Sequence, residues 1–132
     1  MEDCVFCKIV KGEIPCYNVY EDEDFLAFLD INPVNPGHSL VIPKKHYRWV
    51  WSVENIGKYF EVVRNVVKKT QKAMNTQFIA CGIAGNDIPH AHIHVVPRFE
   101  NDGHGGFIDP KNIKKILKEE MEEIAEKIRK SF

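Results

Sequence analysis

Nowhere in this sequence of 132 residues does an apolar run reach the ~20 positions of a membrane span, and no block of Lys or Arg stands out from the net charge of -1. The first absence argues against a membrane-spanning protein, the second against bulk attraction to nucleic acid or a lipid surface. Glu2, Asp3 and Cys4 open the chain without the basic and apolar regions of a signal peptide, so the expected location is cytoplasmic. No internal repeat or low-complexity tract divides it, and its length suits a single domain, residues 1–132. Four cysteines would suffice for two disulfides, but a reducing compartment and a close Cys-x-x-Cys pair favour metal binding for two of them. A hydrophobic share of 44% and a charged share of 28% are those of an ordinary globular domain, so function must be read from local pattern.

The pattern alternates short strands with two long helical stripes. Val5, Phe6, Ile9 and Val10 predict a short helix over residues 4–11, ending near Gly12. Tyr17–Tyr20 and Phe25–Leu29 flank an acidic turn and predict a hairpin, and Ser39–Ile42 a third strand stopped by Pro43. From about Glu54 to Met74, Ile56, Tyr59, Phe60, Val63, Val66, Val67, Thr70 and Met74 recur at helical spacing. Phe78–Ile83 and Ala91–Val96 predict two further strands. Asp109-Pro110 carries the cap and first-position signals of a final helix over about 109–130, with Ile113, Ile116, Leu117, Met121, Ile124 and Ile128 on its apolar face. Hairpins with separated long helices imply an α+β domain with a mainly antiparallel five-stranded sheet.

The most informative segment is His90-Ala91-His92-Ile93-His94, followed by Val95-Val96. On a strand, residues 90, 92 and 94 share one face, with like side chains roughly 7 Å apart. One ring can then attack a phosphorus while a neighbour handles a proton. Alternating imidazoles can also bind zinc. His104, in the Gly103–Gly106 loop, reads first as an exposed loop residue. Cys4-x-x-Cys7 has the spacing of either a redox pair or a metal site, and Cys16 and Cys81 have no partner pattern.

The run from His90 to Val96 resembles the signature of the histidine triad family, His-φ-His-φ-His-φ-φ with φ apolar. Phe6–Val10, Gly12–Pro15, Leu26–Pro33 and Pro36–His46 are similar, in order, to its nucleotide-binding branch, and the likeness covers residues 4–99. It implies the family's fold and a purine nucleotide cleaved at its α-phosphate by double displacement, of the phosphoramidase type. His92 would be the nucleophile, giving a nucleotidyl-histidine that water hydrolyses to the nucleoside monophosphate. His94 would either protonate the leaving group or only orient the phosphate. His38 matches a further active-site histidine, although a histidine opening a strand also serves as a structural hydrogen-bonder. Val5, Phe6, Ile9, Phe28 and Ile31 match apolar positions that sandwich the base, and Asp30 the carboxylate on the ribose hydroxyls.

The same resemblance implies a closed structural zinc site of Cys4, Cys7, His46 and His90, tying the first helix to the catalytic segment; otherwise the two cysteines are free thiols. It implies a homodimer as well, with a small-molecule purine nucleotide as partner and neither nucleic acid nor membrane. Two departures stand out. Asn86-Asp87 replaces a Gln-Ser pair in the turn before the triad, where Asp87 carries a negative charge toward the phosphate unless its carboxylate turns away. Ile79 and Cys81 replace an asparagine and a glycine. Rival readings are a dinucleoside polyphosphate hydrolase with the same nucleophile, and a nucleotide-binding or scaffold protein with little turnover.

Overall fold

The computed structural model describes residues 3–132, so Glu2 lies outside the described residues. Strands β1 (Asn18–Glu21), β2 (Phe25–Leu29), β3 (Ser39–Pro43), β4 (Ile79–Gly82) and β5 (Ile93–Pro97) form one antiparallel sheet in the order β1-β2-β3-β5-β4. Period-two alternation sends Phe25, Ala27, Leu29, Val41, Ile93 and Val95 to one face, where α2 (Ile56–Met74) and α3 (Lys118–Lys130) cover them. Leu26, Phe28, Leu40 and Ile42 turn to the other face and pack under α1 (Val5–Val10). On the helix side Phe25 stacks on Tyr59 at 5.1 Å, and the Tyr59 hydroxyl donates to the Val41 carbonyl at 2.7 Å. The α+β expectation agrees with this architecture.

Three expectations need correction. First, β5 starts at Ile93, so only His94 of the three histidines lies in the ladder. The register that pairs Val41 with Ile93 sets Pro43 opposite Ala91, and proline has no N–H to give. Ala91 donates instead to the Tyr47 carbonyl at 2.7 Å.

Second, the final helix begins at Lys118, not at Asp109. Asp109 accepts from the Lys111 and Asn112 amides in a local turn, and the Lys114 amide donates to Pro33 at 2.7 Å. A residue bonded across the molecule cannot also close a helical turn, so Ile113 and Leu117 stay exposed while Met121, Ile124 and Ile128 are buried. Third, Ile56 and Phe60 of the α2 stripe are exposed, whereas Val62, outside the expected set, is buried. The helix starts where Asn55 caps the Lys58 amide and ends at Asn75, in the left-handed region at φ 53°. A single 3-10 turn, Val50–Ser52, also precedes it.

Candidate active site and metal centre

The Cys4-x-x-Cys7 spacing places both thiols in the first turn of α1, where Cys4 Sγ accepts from the Cys7 amide at 3.3 Å. Two imidazoles meet them. Cys4 Sγ lies 3.2 Å from His90 Nδ1, Cys7 Sγ lies 3.2 Å from His46 Nδ1 and 3.6 Å from His90 Nδ1. All four atoms lie within 4.8 Å of one another. Tetrahedral coordination with ordinary zinc–sulfur and zinc–nitrogen bonds sets sulfur and nitrogen about 3.5 Å apart, so the cluster is already at ligand spacing. His90 Nε2 donates to the Pro43 carbonyl at 2.8 Å, which leaves the Nδ1 lone pair facing the sulfurs. Burial and the Cys4 thiol push Cys7 up to about 11, a shift that a cation among the sulfurs reverses by favouring thiolate. Two thiols and two imidazole Nδ1 atoms, one of them with its lone pair fixed by a carbonyl, fit a structural metal.

The triad rings do form a row, though two of them precede the strand. His92 and His94 lie 5.1 Å apart, centroid to centroid, closer than strand repeat alone predicts. Phe6 packs edge-on against His90 at 5.7 Å and His92 at 5.4 Å, so α1 touches both the metal cluster and the row. His92 Nδ1 donates to the His90 carbonyl at 2.8 Å. A carbonyl can only accept, so the proton sits on Nδ1 and the lone pair on Nε2.

A second chain of bonds fixes His94. The Val34 amide donates to His38 Nδ1 at 3.1 Å, and His38 Nε2 donates to His94 Nδ1 at 2.9 Å. His94 must then carry its proton on Nε2. Asp30 Oδ2 stands 3.5 Å from His38 Nε2, and its Oδ1 accepts from the Asn32 amide. Burial raises the Asp30 carboxyl. Burial first, then the neighbouring ring, holds His38 down at about 3 and His94 at about 4. Both are therefore neutral near pH 7. Asp30, His38 and His94 also lie within metal-binding distance of one another, but a cation there would have to displace the proton that His38 shares with His94.

The remaining expected residues are spread around this centre. Phe6 and Phe28 are buried and meet edge-on at 5.5 Å. Ile9 packs on the same cluster, while Val5 is partly open and Ile31 is 75% exposed. These residues make a wall rather than an enclosed pocket. Asn86 and Asp87 are exposed in the turn before His90, and Asp87 acts on His94 only as a nearby charge that raises it. Ile79 packs on the helix-side core and Cys81 is exposed.

Sequence reasoning missed two groups. Arg98 pairs with Asp102 at 2.8 Å, both side chains nearly buried, and Asn35 Nδ2 bridges Asp102 and the Pro97 carbonyl at 2.9 Å each. His104 is not a free loop residue: its Nε2 donates to the Val34 carbonyl at 2.9 Å. Arg98 four residues before Asp102 was the available signal, but Asn35 lies far away in sequence. The second group lines a cleft of about 240 Å³ beside His92, where Arg48 stacks on Trp49 at 3.6 Å and donates to the Gly85 carbonyl at 2.7 Å.

Comparison with known proteins places this geometry. Residues 11–101 match the family model for the HIT domain. A HIT-like protein of Borreliella burgdorferi is 46% identical over 116 residues, covering 80% of this chain and 82% of the relative. The adenosine 5'-monophosphoramidase of Schizosaccharomyces pombe is 36% identical over 138 positions, covering 96% of this chain and 98% of that protein. The crystal structure of a zinc-bound histidine triad family protein from Mycobacterium smegmatis matches with a TM-score of 0.78 at 30% identity, over 98% of this chain and 93% of that one. The chain belongs to the HIT domain family and is an enzyme of the histidine triad kind.

Proposed function

We propose that the protein hydrolyses a purine nucleotide carrying an amine or similar group on its α-phosphate, through a nucleotidyl-His92 intermediate. The observation that carries this reading is the bond from His92 Nδ1 to the His90 carbonyl, which commits Nδ1 to its proton and leaves Nε2 as the nitrogen for attack. In the first step the Nε2–phosphorus bond forms and the bond from phosphorus to the leaving group breaks. His94 Nε2–H donates a hydrogen bond to a phosphate oxygen, and the departing amine takes its proton from water. In the second step water attacks the phosphorus, gives up a proton to solvent, and the Nε2–phosphorus bond breaks to release the monophosphate. His94 is neutral near pH 7 and acts as a neutral donor through the proton that the His38 bond assigns to Nε2.

The base lies against Val5, Phe6, Ile9, Phe28 and Ile31, with Asp30 toward the ribose and Asn86 and Asp87 toward the phosphate. Zinc is the metal that suits Cys4, Cys7, His46 and His90; when bound it supplies cross-linking, with no open position for water. The four unpaired cysteines fit a cytoplasmic setting. Exposed Phe60 on α2 and Phe78 beside the edge strand β4 support a homodimer built through those two elements.

The test is turnover of adenosine 5'-phosphoramidate by the parent and by His92→Ala. The reading expects AMP from the parent and at least about a thousandfold less from the variant. Equal AMP release by both would remove His92 from the mechanism. Tight AMP binding without turnover would favour the scaffold reading, with Asp87 as the departure responsible.

A further inference from the structure

We propose that Lys114 and His104 are positioning residues that set the tautomer of His94, acting through the loop Pro33-Val34-Asn35. The inference rests on the reading of His94 Nε2 as the donor at the phosphate. A hydrogen bond between two neutral imidazoles can run either way. Reversed, the His38–His94 bond would leave a lone pair on His94 Nε2, repelling a phosphate oxygen instead of donating to it. The pair alone does not choose. The Val34 amide does, because it can only donate, and it donates to His38 Nδ1. Asp30, 3.5 Å from His38 Nε2, favours the proton there as well.

The Val34 amide is held in turn. It belongs to the same peptide unit as the Pro33 carbonyl, which accepts from the Lys114 amide at 2.7 Å, so the unit is gripped at one end and polarised toward His38 at the other. The next carbonyl, Val34 O, accepts both Lys114 Nζ at 3.0 Å and His104 Nε2 at 2.9 Å. Lys114 Nζ also donates to the Asp102 carbonyl at 2.7 Å, joining this grip to the buried Arg98–Asp102 pair. The Asp109 amide donates to His104 Nδ1 at 3.0 Å, which places the His104 proton on Nε2. Val34 is buried, so polar groups of its backbone cannot turn to water when these partners are lost. The non-helical stretch before α3 is therefore a strap across the loop that orients the catalytic rings.

The experiment uses the zinc-loaded full chain with 15N-labelled histidine, comparing the parent, Lys114→Met/His104→Leu, and the conservative pair Lys114→Arg/His104→Gln. Imidazole nitrogen shifts report which nitrogen carries the proton. The expected result is Nε2–H for His94 in the parent, a mixture in the first variant, and recovery in the second. Turnover of adenosine 5'-phosphoramidate is expected to fall at least about tenfold in the first variant and to recover in the second, because the phosphate loses and regains its Nε2–H donor. Unchanged tautomers in the first variant, or tautomers and turnover that the conservative pair does not restore, would overturn the proposal. If the parent does not cleave this substrate the hydrolase reading fails, and the spectra still decide whether the strap sets the tautomer. Should the double variant not fold, Lys114→Met alone is read by the same two measurements.

Discussion

His38 is buried and His94 half-buried, both as neutral rings, and that choice has a cost in acid. Their folded-state values, about 3 and about 4, lie below the ordinary 6.5. Above pH 6.5 both rings are neutral in folded and unfolded chains, and nothing is lost. Below it the unfolded chain takes up protons first, so stability falls as pH drops from 6.5 toward 4, by up to about 1.4 kcal/mol per pH unit for each ring. Urea unfolding at pH 7 and pH 5 should show this loss, reduced in His94→Asn. Asp102 behaves oppositely: its Arg98 partner holds the carboxyl well below the usual range, so its contribution is present above about pH 4 and is lost on further acidification. Asp102→Ala leaves Arg98 buried and unpaired, an expected loss of about 3–5 kcal/mol in urea unfolding. At this scale the sequence displayed the three histidines and the cysteine pair, because their spacing is local. It did not display what the rings bond to. His104 looked free because its acceptor, Val34, is 70 residues away in sequence.

At the scale of elements, α1 is the clearest case of sequence specifying structure. Its thiols sit one turn apart and Phe6 faces the triad, so a helix of six residues with its N-cap carries two candidate metal ligands and a wall of the proposed base site together. A helix that short has little stability of its own. Removing the metal with a chelator is therefore expected to unfasten α1 first, seen as loss of amide exchange protection at residues 5–10 before the sheet unfolds, and to weaken AMP binding. Exchange that stays protected in α1 after metal removal would contradict this coupling. Hairpin β1–β2 and the long α2 were legible because periodicity and caps agree with the tertiary structure. The start of α3 was not. Asp109-Pro110 has the chemistry of a helix start, but the bonds from Lys114 to Pro33, Val34 and Asp102 hold the chain away from helix for another turn and more. The start of β5 was missed for a related reason, since the partner opposite Ala91 is a proline.

Across the whole molecule, the sheet separates two tasks. One face buries the main core under α2 and α3, and the other carries the candidate metal ligands and the imidazole row beneath α1. Exposed Phe60 and Phe78 lie away from the row, and charge at Phe60 is expected to shift sedimentation from dimer to monomer in Phe60→Glu while metal content stays constant. A parent protein that already sediments as a monomer would contradict that assembly. The proposed chemistry turns on one bond, by which the His90 carbonyl holds the proton on His92 Nδ1 and leaves Nε2 to attack. Rapid-quench mass spectrometry with adenosine 5'-phosphoramidate tests it most directly. An adenylyl group is expected on His92 within the first turnover, absent from His92→Ala. Steady release of AMP by the parent with no adduct at any quench time would contradict double displacement and point to direct attack by water.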